Sequence, residues 1–428
     1  MANDDRNNFV PEDLLINIAQ RSSCPEDYYR LSAVCKSWNL AASEAAASLE
    51  EFVIDQKPWW LLLRGFPTTT PMLLLAEEVA PEDAEDFNLA SYDYSKNSVG
   101  SSRGLYSLSL NKTYNIELPE AAGKLILSTS KGWLLTLGRD LQIHLLHPLF
   151  RYQVSLPPML TFPRQYEYNK SITPEDDSAY FISKVAMSSR LLKEKADVTQ
   201  PPIVMTVYGS LDSLGFARLG DKVWTDVNVN SNSFHDIVYY RENFYAVNSA
   251  GDVYVCCIDG DDEIYNNEKC GFRGEKIASI KINNVCNRKF YLVEPLSGSG
   301  LLLIVRYFRF RHLQKRHRVV TKYRTTEFAV WRLDLDFYDS ACIRLCTLIK
   351  ENNLGAEAIF VGRASSLSVP SSDTIKPNSI YFTDDNWKYF TCLGGGHDMG
   401  IFNMERRTIE PHYQGKSIHC ISPPLWYI

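Results

Sequence analysis

Leu105-Tyr106-Ser107-Leu108-Ser109-Leu110-Asn111-Lys112-Thr113-Tyr114-Asn115-Ile116-Glu117-Leu118 is the stretch that decides the fold. Apolar and polar residues alternate along it, which places one set of side chains on each face of an extended chain. Asn111-Lys112 supplies a turn, the alternation returns from Thr113 to Leu118, and Pro119 ends it. That is a β-hairpin. The form recurs at Trp133 to Leu137 and Leu141 to Leu145, around Gly138-Arg139-Asp140. It recurs again at Phe244 to Val247 and Val253 to Cys256, where Asn248-Ser249-Ala250-Gly251-Asp252 admits the left-handed backbone of a tight turn. In this part of the chain a helix is expected only near 191–196.

So long a series of short antiparallel strands exceeds one sandwich, and radial repetition buries that much sheet while leaving few free edges. The prediction for residues 51–428 is therefore a β-propeller. Hairpin signals recur at a spacing of roughly 50 to 65 residues, somewhat above the usual propeller repeat. Six blades fit that spacing best, seven is the alternative, and an irregular pair of β domains is the competing architecture.

Residues 1–50 follow a different period. Pro11 opens a helix with Glu12 and Asp13 in its first turn and Leu14, Leu15 and Ile18 on one stripe. Pro25 restarts the pattern, with Tyr28, Leu31, Val34 and Cys35 at helical spacing. A third helix, alanine-rich, covers roughly 37–48 and carries Trp38. The fold class is thus mainly β with a small three-helix α domain in front. Below about 40 residues a chain rarely buries enough apolar surface to offset its conformational entropy. Phe9, Pro11, Leu14, Leu15, Ile18, Leu31, Val34 and Trp38 exceed what three short helices can cover, so some are expected to face another protein. A helical cap on the larger core is the alternative.

Composition bounds the function classes. The chain has 428 residues with 45 basic and 51 acidic side chains, a net charge of -6, so no overall pull toward nucleic acid or anionic membrane. The opening MANDDRNN lacks the apolar core of a signal peptide, and runs such as 59–63 and 301–305 are too short to span a bilayer. The expected location is the cytoplasm or nucleus, with no membrane partner. Ten scattered cysteines fit reduced thiols there. Cys342 and Cys346 have no second pair at zinc-site spacing.

Two resemblances sharpen this reading. Pro11-Glu12-Asp13-Leu14-Leu15-Ile16-Asn17-Ile18, followed by Tyr29-Arg30-Leu31-Ser32-Ala33-Val34-Cys35-Lys36-Ser37-Trp38, resembles the F-box pattern of Leu-Pro, an apolar helix, then Arg-Leu leading into Val-Cys-Lys-x-Trp. Val10 departs from it, standing where leucine is usual. Gly132-Trp133-Leu134, His147-Pro148-Leu149-Phe150-Arg151, Ser297-Gly298-Ser299-Gly300-Leu301-Leu302, Phe328-Ala329-Val330-Trp331-Arg332-Leu333, Ala358 to Arg363, Asn378 to Asp385 and Pro423-Pro424-Leu425-Trp426 are similar to successive landmarks of plant F-box proteins with a KIB-type propeller. Here the departures are His147 for the usual asparagine and a longer basic insert. Together these resemblances imply a non-catalytic receptor subunit of a Skp-cullin-F-box ubiquitin ligase, with no cofactor. Pro11, Leu14, Leu15, Ile18, Leu31, Val34, Cys35, Lys36 and Trp38 would contact a Skp-type adaptor or hold the helices that do, and through the adaptor reach a cullin-RING ligase. The propeller would hold an unknown protein substrate. A scaffold that does not direct degradation is the runner-up, and a propeller enzyme marked by buried carboxylates or histidines at the axis is third.

Other constellations are weaker. The run 306–324, RYFRFRHLQKRHRVVTKYR, carries eight basic residues and two histidines with no acid. A strand and its solvated loop between two blades is the preferred reading. A partner-binding or import patch of Arg306, Arg309, Arg311, Lys315, Arg316 and Arg318 is the alternative, and nucleic-acid binding ranks last. The acidic segment 77–86 reads as an exposed loop. Asp259-Gly260-Asp261-Asp262-Glu263 fails as a calcium loop, because Ile264 stands where the turn needs glycine and Cys270 where glutamate is needed, so no metal is expected. Gly394-Gly395-Gly396-His397-Asp398 opens no helix and presents no dipole to a phosphate. Ser299 lacks the spacing of a nucleophile elbow.

Overall fold

The computed structural model describes residues 71–75, 102–130, 132–148, 151–163, 181–188, 202–258, 272–282, 287–315, 318–337, 343–386, 395–415, 417–418 and 423–427. The three expected helices of 1–50, the expected helix near 191–196, the acidic segment 77–86 and Asp259 to Glu263 lie outside them.

Six antiparallel-based sheets succeed one another along the chain, one per blade. Blade 1 joins β1 (Met72–Leu74), β2 (Ser102–Ser107) and β3 (Lys112–Glu117) to the final strand β25 (Leu425–Tyr427). Blade 2 holds β4 (Leu125–Ser130), β5 (Trp133–Leu137), β6 (Ile143–His147) and β7 (Tyr152–Ser155). Blade 3 holds β8 (Ile182–Met187), β9 (Ile203–Tyr208), β10 (Ser213–Arg218) and β11 (Thr225–Asp226). Blade 4 holds β12 (Phe234–Tyr240), β13 (Asn243–Asn248), β14 (Asp252–Ile258) and β15 (Phe272–Ser279). Blade 5 holds β16 (Asn287–Val293), β17 (Leu301–Lys315), β18 (Arg318–Phe337) and β19 (Ile343–Glu351). Blade 6 has the order β21-β20-β22-β23-β24, from β20 (Glu357–Val361), β21 (Leu367–Pro370), β22 (Ser379–Phe382), β23 (Gly400–Asn403) and β24 (Thr408–Glu410). The six-bladed propeller expected from hairpin spacing is the observed fold.

Each neighbouring pair of blades encloses its own apolar cluster, so the core is a ring of six interfaces rather than one centre. Successive residues of a strand feed opposite neighbours: Ile380 and Phe382 pack toward blade 5, while Tyr381 packs toward blade 1. The ring closes through β25. Leu73 pairs with Trp426 in register, Trp426 Nε1 donates to the Val361 carbonyl at 3.1 Å, and the Tyr427 hydroxyl donates to the Gly132 carbonyl at 3.1 Å. One short strand thereby ties blades 6, 1 and 2 together.

Hairpin boundaries differ from the sequence reading in two places. The strand expected to reach Leu110 stops at Ser107, which pairs with Lys112 across a four-residue turn. Asn111 takes a left-handed φ of 49°, its side chain accepts from the Tyr106 hydroxyl at 2.7 Å, and the Ser107 hydroxyl accepts from the Leu110 amide at 3.3 Å. Local side-chain bonds thus replace ladder bonds. The return strand expected from Leu141 begins at Ile143, because Leu141 is itself left-handed at 59°. The hairpin at 244–256 is as expected, its turn capped by the Asn248 carboxamide, which accepts from the Ala250 and Asp252 amides at 3.0 and 2.9 Å.

Candidate functional site

β4, β8, β12 and β16, with β25, lie against one another in succession and line the axis. The segment 362–366 between β20 and β21 crosses that axis to the opposite blade. Lys184 of β8 donates to the Ala364 carbonyl at 2.8 Å, Arg363 to Ile182 O at 3.2 Å and Ser365 to Val185 O at 3.0 Å. Beneath the crossing, Lys184 and Asp236 form an ion pair at 3.0 Å with neither side chain more than 1% exposed. Asp236 also accepts from the Leu292 amide and the Ser366 hydroxyl, both at 3.0 Å, so four blades meet on one carboxylate. Burial pushes its pKa up, and the Lys184 charge only partly offsets this.

A second buried network lies between blades 5 and 6. Arg306 is fully enclosed. It donates to Thr325 Oγ1 at 2.7 Å, the Thr383 carbonyl at 2.8 Å, Asp385 at 3.1 Å and Asp398 at 3.0 Å. Its guanidinium lies 4.6 Å over the Phe382 ring and 4.9 Å over Phe308. Burial raises the Asp385 pKa, but Lys289 at 2.9 Å, Arg306 and Lys184 outweigh it and hold the carboxyl below its usual range. Lys289 is itself pulled below the ordinary lysine range by burial, against the opposing pull of Asp385. Asp384 goes the other way, raised by burial and then by the Asp398 charge.

This arrangement corrects the sequence reading of 306–324. Arg306 is not part of a surface patch, because Leu302, Ile304 and Arg306 of β17 turn into the interface with blade 6. Nor is the run a loop between blades: it is the tip of one hairpin within blade 5, paired from Leu301↔Leu333 to Lys315↔Arg318. Arg309 and Arg311 are exposed. Lys315 and Arg318 pair at the far end of the hairpin, and Arg316 lies outside the described residues. The glycine-rich turn does cradle an anion, though it is the chain's own: Asp384 Oδ2 accepts from the Gly396 and His397 amides at 2.9 and 3.1 Å. Gly396 is required there, since a Cβ would sit 2.1 Å from the Ser417 carbonyl and its φ is +113°.

Carboxylates therefore do cluster near the axis, the mark set above for an enzyme. Every carboxylate oxygen of Asp236, Asp384, Asp385 and Asp398 nevertheless accepts a bond from this chain's own donors. These bonds join neighbouring blades: Lys184, Leu292 and Ser366 meet on Asp236 across blades 3 to 6, and Arg306 links Asp385 and Asp398 across blades 5 and 6.

Above these networks lies an open cleft of about 260 Å³ where blades 3 to 6 converge. Asp212, His235, Arg288, Lys289, Phe310 and Asn386 are among its walls. The cleft combines aromatic surface from Phe234, Phe308 and Phe310 with Arg288, residue types enriched at protein-recognition surfaces. Sequence reading did not anticipate these residues, because they come from four blades and no local motif joins them. The adaptor-contact set of Pro11, Leu14, Leu15, Ile18, Leu31, Val34, Cys35, Lys36 and Trp38 lies outside the described residues.

The family model for the KIB1-4 beta-propeller matches residues 105–403. The chain belongs to the KIB1-4 β-propeller family. The match begins within β2 of this KIB1-4 propeller and ends at β23, so its closing strand β25 lies beyond it. An Arabidopsis thaliana protein named for an F-box is 25% identical over 291 residues, 66% of this chain and 71% of that one. A second Arabidopsis thaliana protein so named is 23% identical over 397 residues, 88% of this KIB1-4 chain and 89% of its own. A solved β-propeller domain, Cps50 (Swd1) of Myceliophteria thermophila, is 11% identical with a TM-score of 0.30 over 74% of this chain and 82% of that one, a likeness too slight to carry an argument.

Proposed function

We propose that the chain is the substrate-binding subunit of a Skp-cullin-F-box ubiquitin ligase, working without catalytic groups of its own. Its N-terminal residues dock on a Skp-type adaptor, and its propeller offers the cleft between blades 3 and 6 to a target protein in the cytoplasm or nucleus. The observation that carries the recognition half is that cleft, in whose floor Asp385 is fixed by Lys289 and by the buried Arg306. A rigid floor lowers the ordering cost of binding. The names of the relatives, together with the sequence of 9–48, support the adaptor half.

The test follows the target. Proteins captured by the full chain with the proteasome blocked, and lost from Arg288→Glu/Phe310→Ala, are followed after the chain is depleted. The expected result is their accumulation with a lengthened half-life. Unchanged abundance of every such protein would show a scaffold instead.

A further inference from the structure

We propose that the outer face of the β17–β18 ribbon is a docking strip for an extended acidic polypeptide segment with carboxylates at alternate positions. Past Phe308, β17 has no partner in β16, and before Val330, β18 has none in β19, so among the described residues no third strand pairs with this length of the ribbon. Arg309 stands directly opposite Arg324, and Arg311 directly opposite Lys322. Opposed residues of an antiparallel pair project to the same side, as do residues two apart along a strand. The four cations therefore share one face, and all four are exposed. Among the described residues none of the four has a counter-ion.

Like charges set directly across a ladder repel and weaken it. Charges on free strands do discourage stray edge pairing, but charges of mixed sign would do so without the repulsion. An incoming acidic strand relieves it. Alternate side chains of any extended chain are about 6.8 Å apart, so carboxylates at alternate positions keep step with Arg309 and Arg311 along the ribbon. Nucleic acid fits less well. The aromatic residues Phe310 and Tyr323 occupy the other face, where the Tyr323 hydroxyl donates to Asp384 at 2.6 Å, and Tyr307, on the cation side, packs against the cluster between blades 4 and 5, so no run of exposed aromatic rings interleaves the cations. The proposal rests on the receptor reading for the partner's role as substrate, and the ribbon's own binding is measured apart from the adaptor.

The experiment uses the full chain and a fluorescein-labelled peptide alternating glutamate and serine, followed by anisotropy. The expected result is saturable binding that weakens as salt rises. Arg309→Ser/Arg324→Ser should bind at least tenfold more weakly while unfolding at no lower temperature than the parent, since one repulsive pair is gone. Reversal of all four cations to glutamate should transfer preference to a peptide alternating lysine and serine, which also shows that the reversed protein is folded. The proposal is overturned by any of three results: no saturable binding to the parent chain, undiminished binding to the serine variant, or tighter binding of a DNA duplex of equal charge. Trp38→Ala should bind the peptide as the parent does, so failure of the adaptor reading and failure of the ribbon are read separately.

Discussion

Arg306→Met is expected to destabilise the propeller by about 3–5 kcal/mol at neutral pH, because removing one member of a buried ion network strands the remaining charges. Two carboxylates, Asp385 and Asp398, would lose a bond each to a guanidinium that is fully enclosed with them. Methionine fills much of the space left over Phe382 and Phe308, so the loss reports charge rather than a cavity. The pH dependence has a definite sign. In the parent chain the Asp385 carboxyl is held below its unfolded value, so its contribution is present above that value and lost as pH falls through the folded one. In the variant Asp385 keeps Lys289 and Lys184 but loses Arg306, so its carboxyl is held down less, and less stability is lost as pH falls. The gap between parent and variant, measured as urea midpoints across pH 4 to 8, should therefore shrink toward acid. Adding Asp398→Asn to the variant should recover part of the loss, because a neutral amide needs no counter-charge. A constant gap across that range would mean that packing alone holds this junction.

Trp426→Ala carries the second large effect, about 3–5 kcal/mol, the usual cost of truncating a fully buried tryptophan. Its ring meets Phe360 edge-on at 4.9 Å and lies 4.9 Å from His412, and its N–H bonds Val361 in blade 6. The substitution thus opens a cavity at the point where the last strand joins the first blade. Native-state hydrogen exchange provides the check. Protection should fall first in β25 and β1 and later in blades 3 and 4. Uniform loss across all six blades would show that the ring has no weakest seam.

The period-2 alternation of 105–118 identified strands because solvent meets one face of β3, leaving Thr113, Asn115 and Glu117 exposed. It says less where both faces are covered: Trp133–Leu137 and Ile203–Tyr208 are buried along their whole length because each lies between two apolar clusters. Arg306 illustrates the limit for charge. Counting basic residues in 306–324 treats them as one patch, whereas the two faces of the hairpin divide them, Arg306 turning toward blade 6 and Arg309, Arg311, Lys322 and Arg324 outward. The parallel pairing of β20 with β22 was not legible, since it depends on β21 occupying one edge of β20 so that the chain returns along the other. The cleft was hidden as well. Its walls are far apart in sequence, and only ring closure brings them together.

The proposed division between an N-terminal adaptor contact and a self-sufficient propeller is tested most directly by one titration. Purified Skp-type adaptor is titrated calorimetrically into the full chain and into Trp38→Ala, with circular dichroism confirming an unchanged β spectrum. The predicted result is a one-to-one complex for the parent and a loss of about 2 kcal/mol or more, roughly thirtyfold in affinity, for the variant. Equal affinity of the two proteins, or no complex with either, would contradict it.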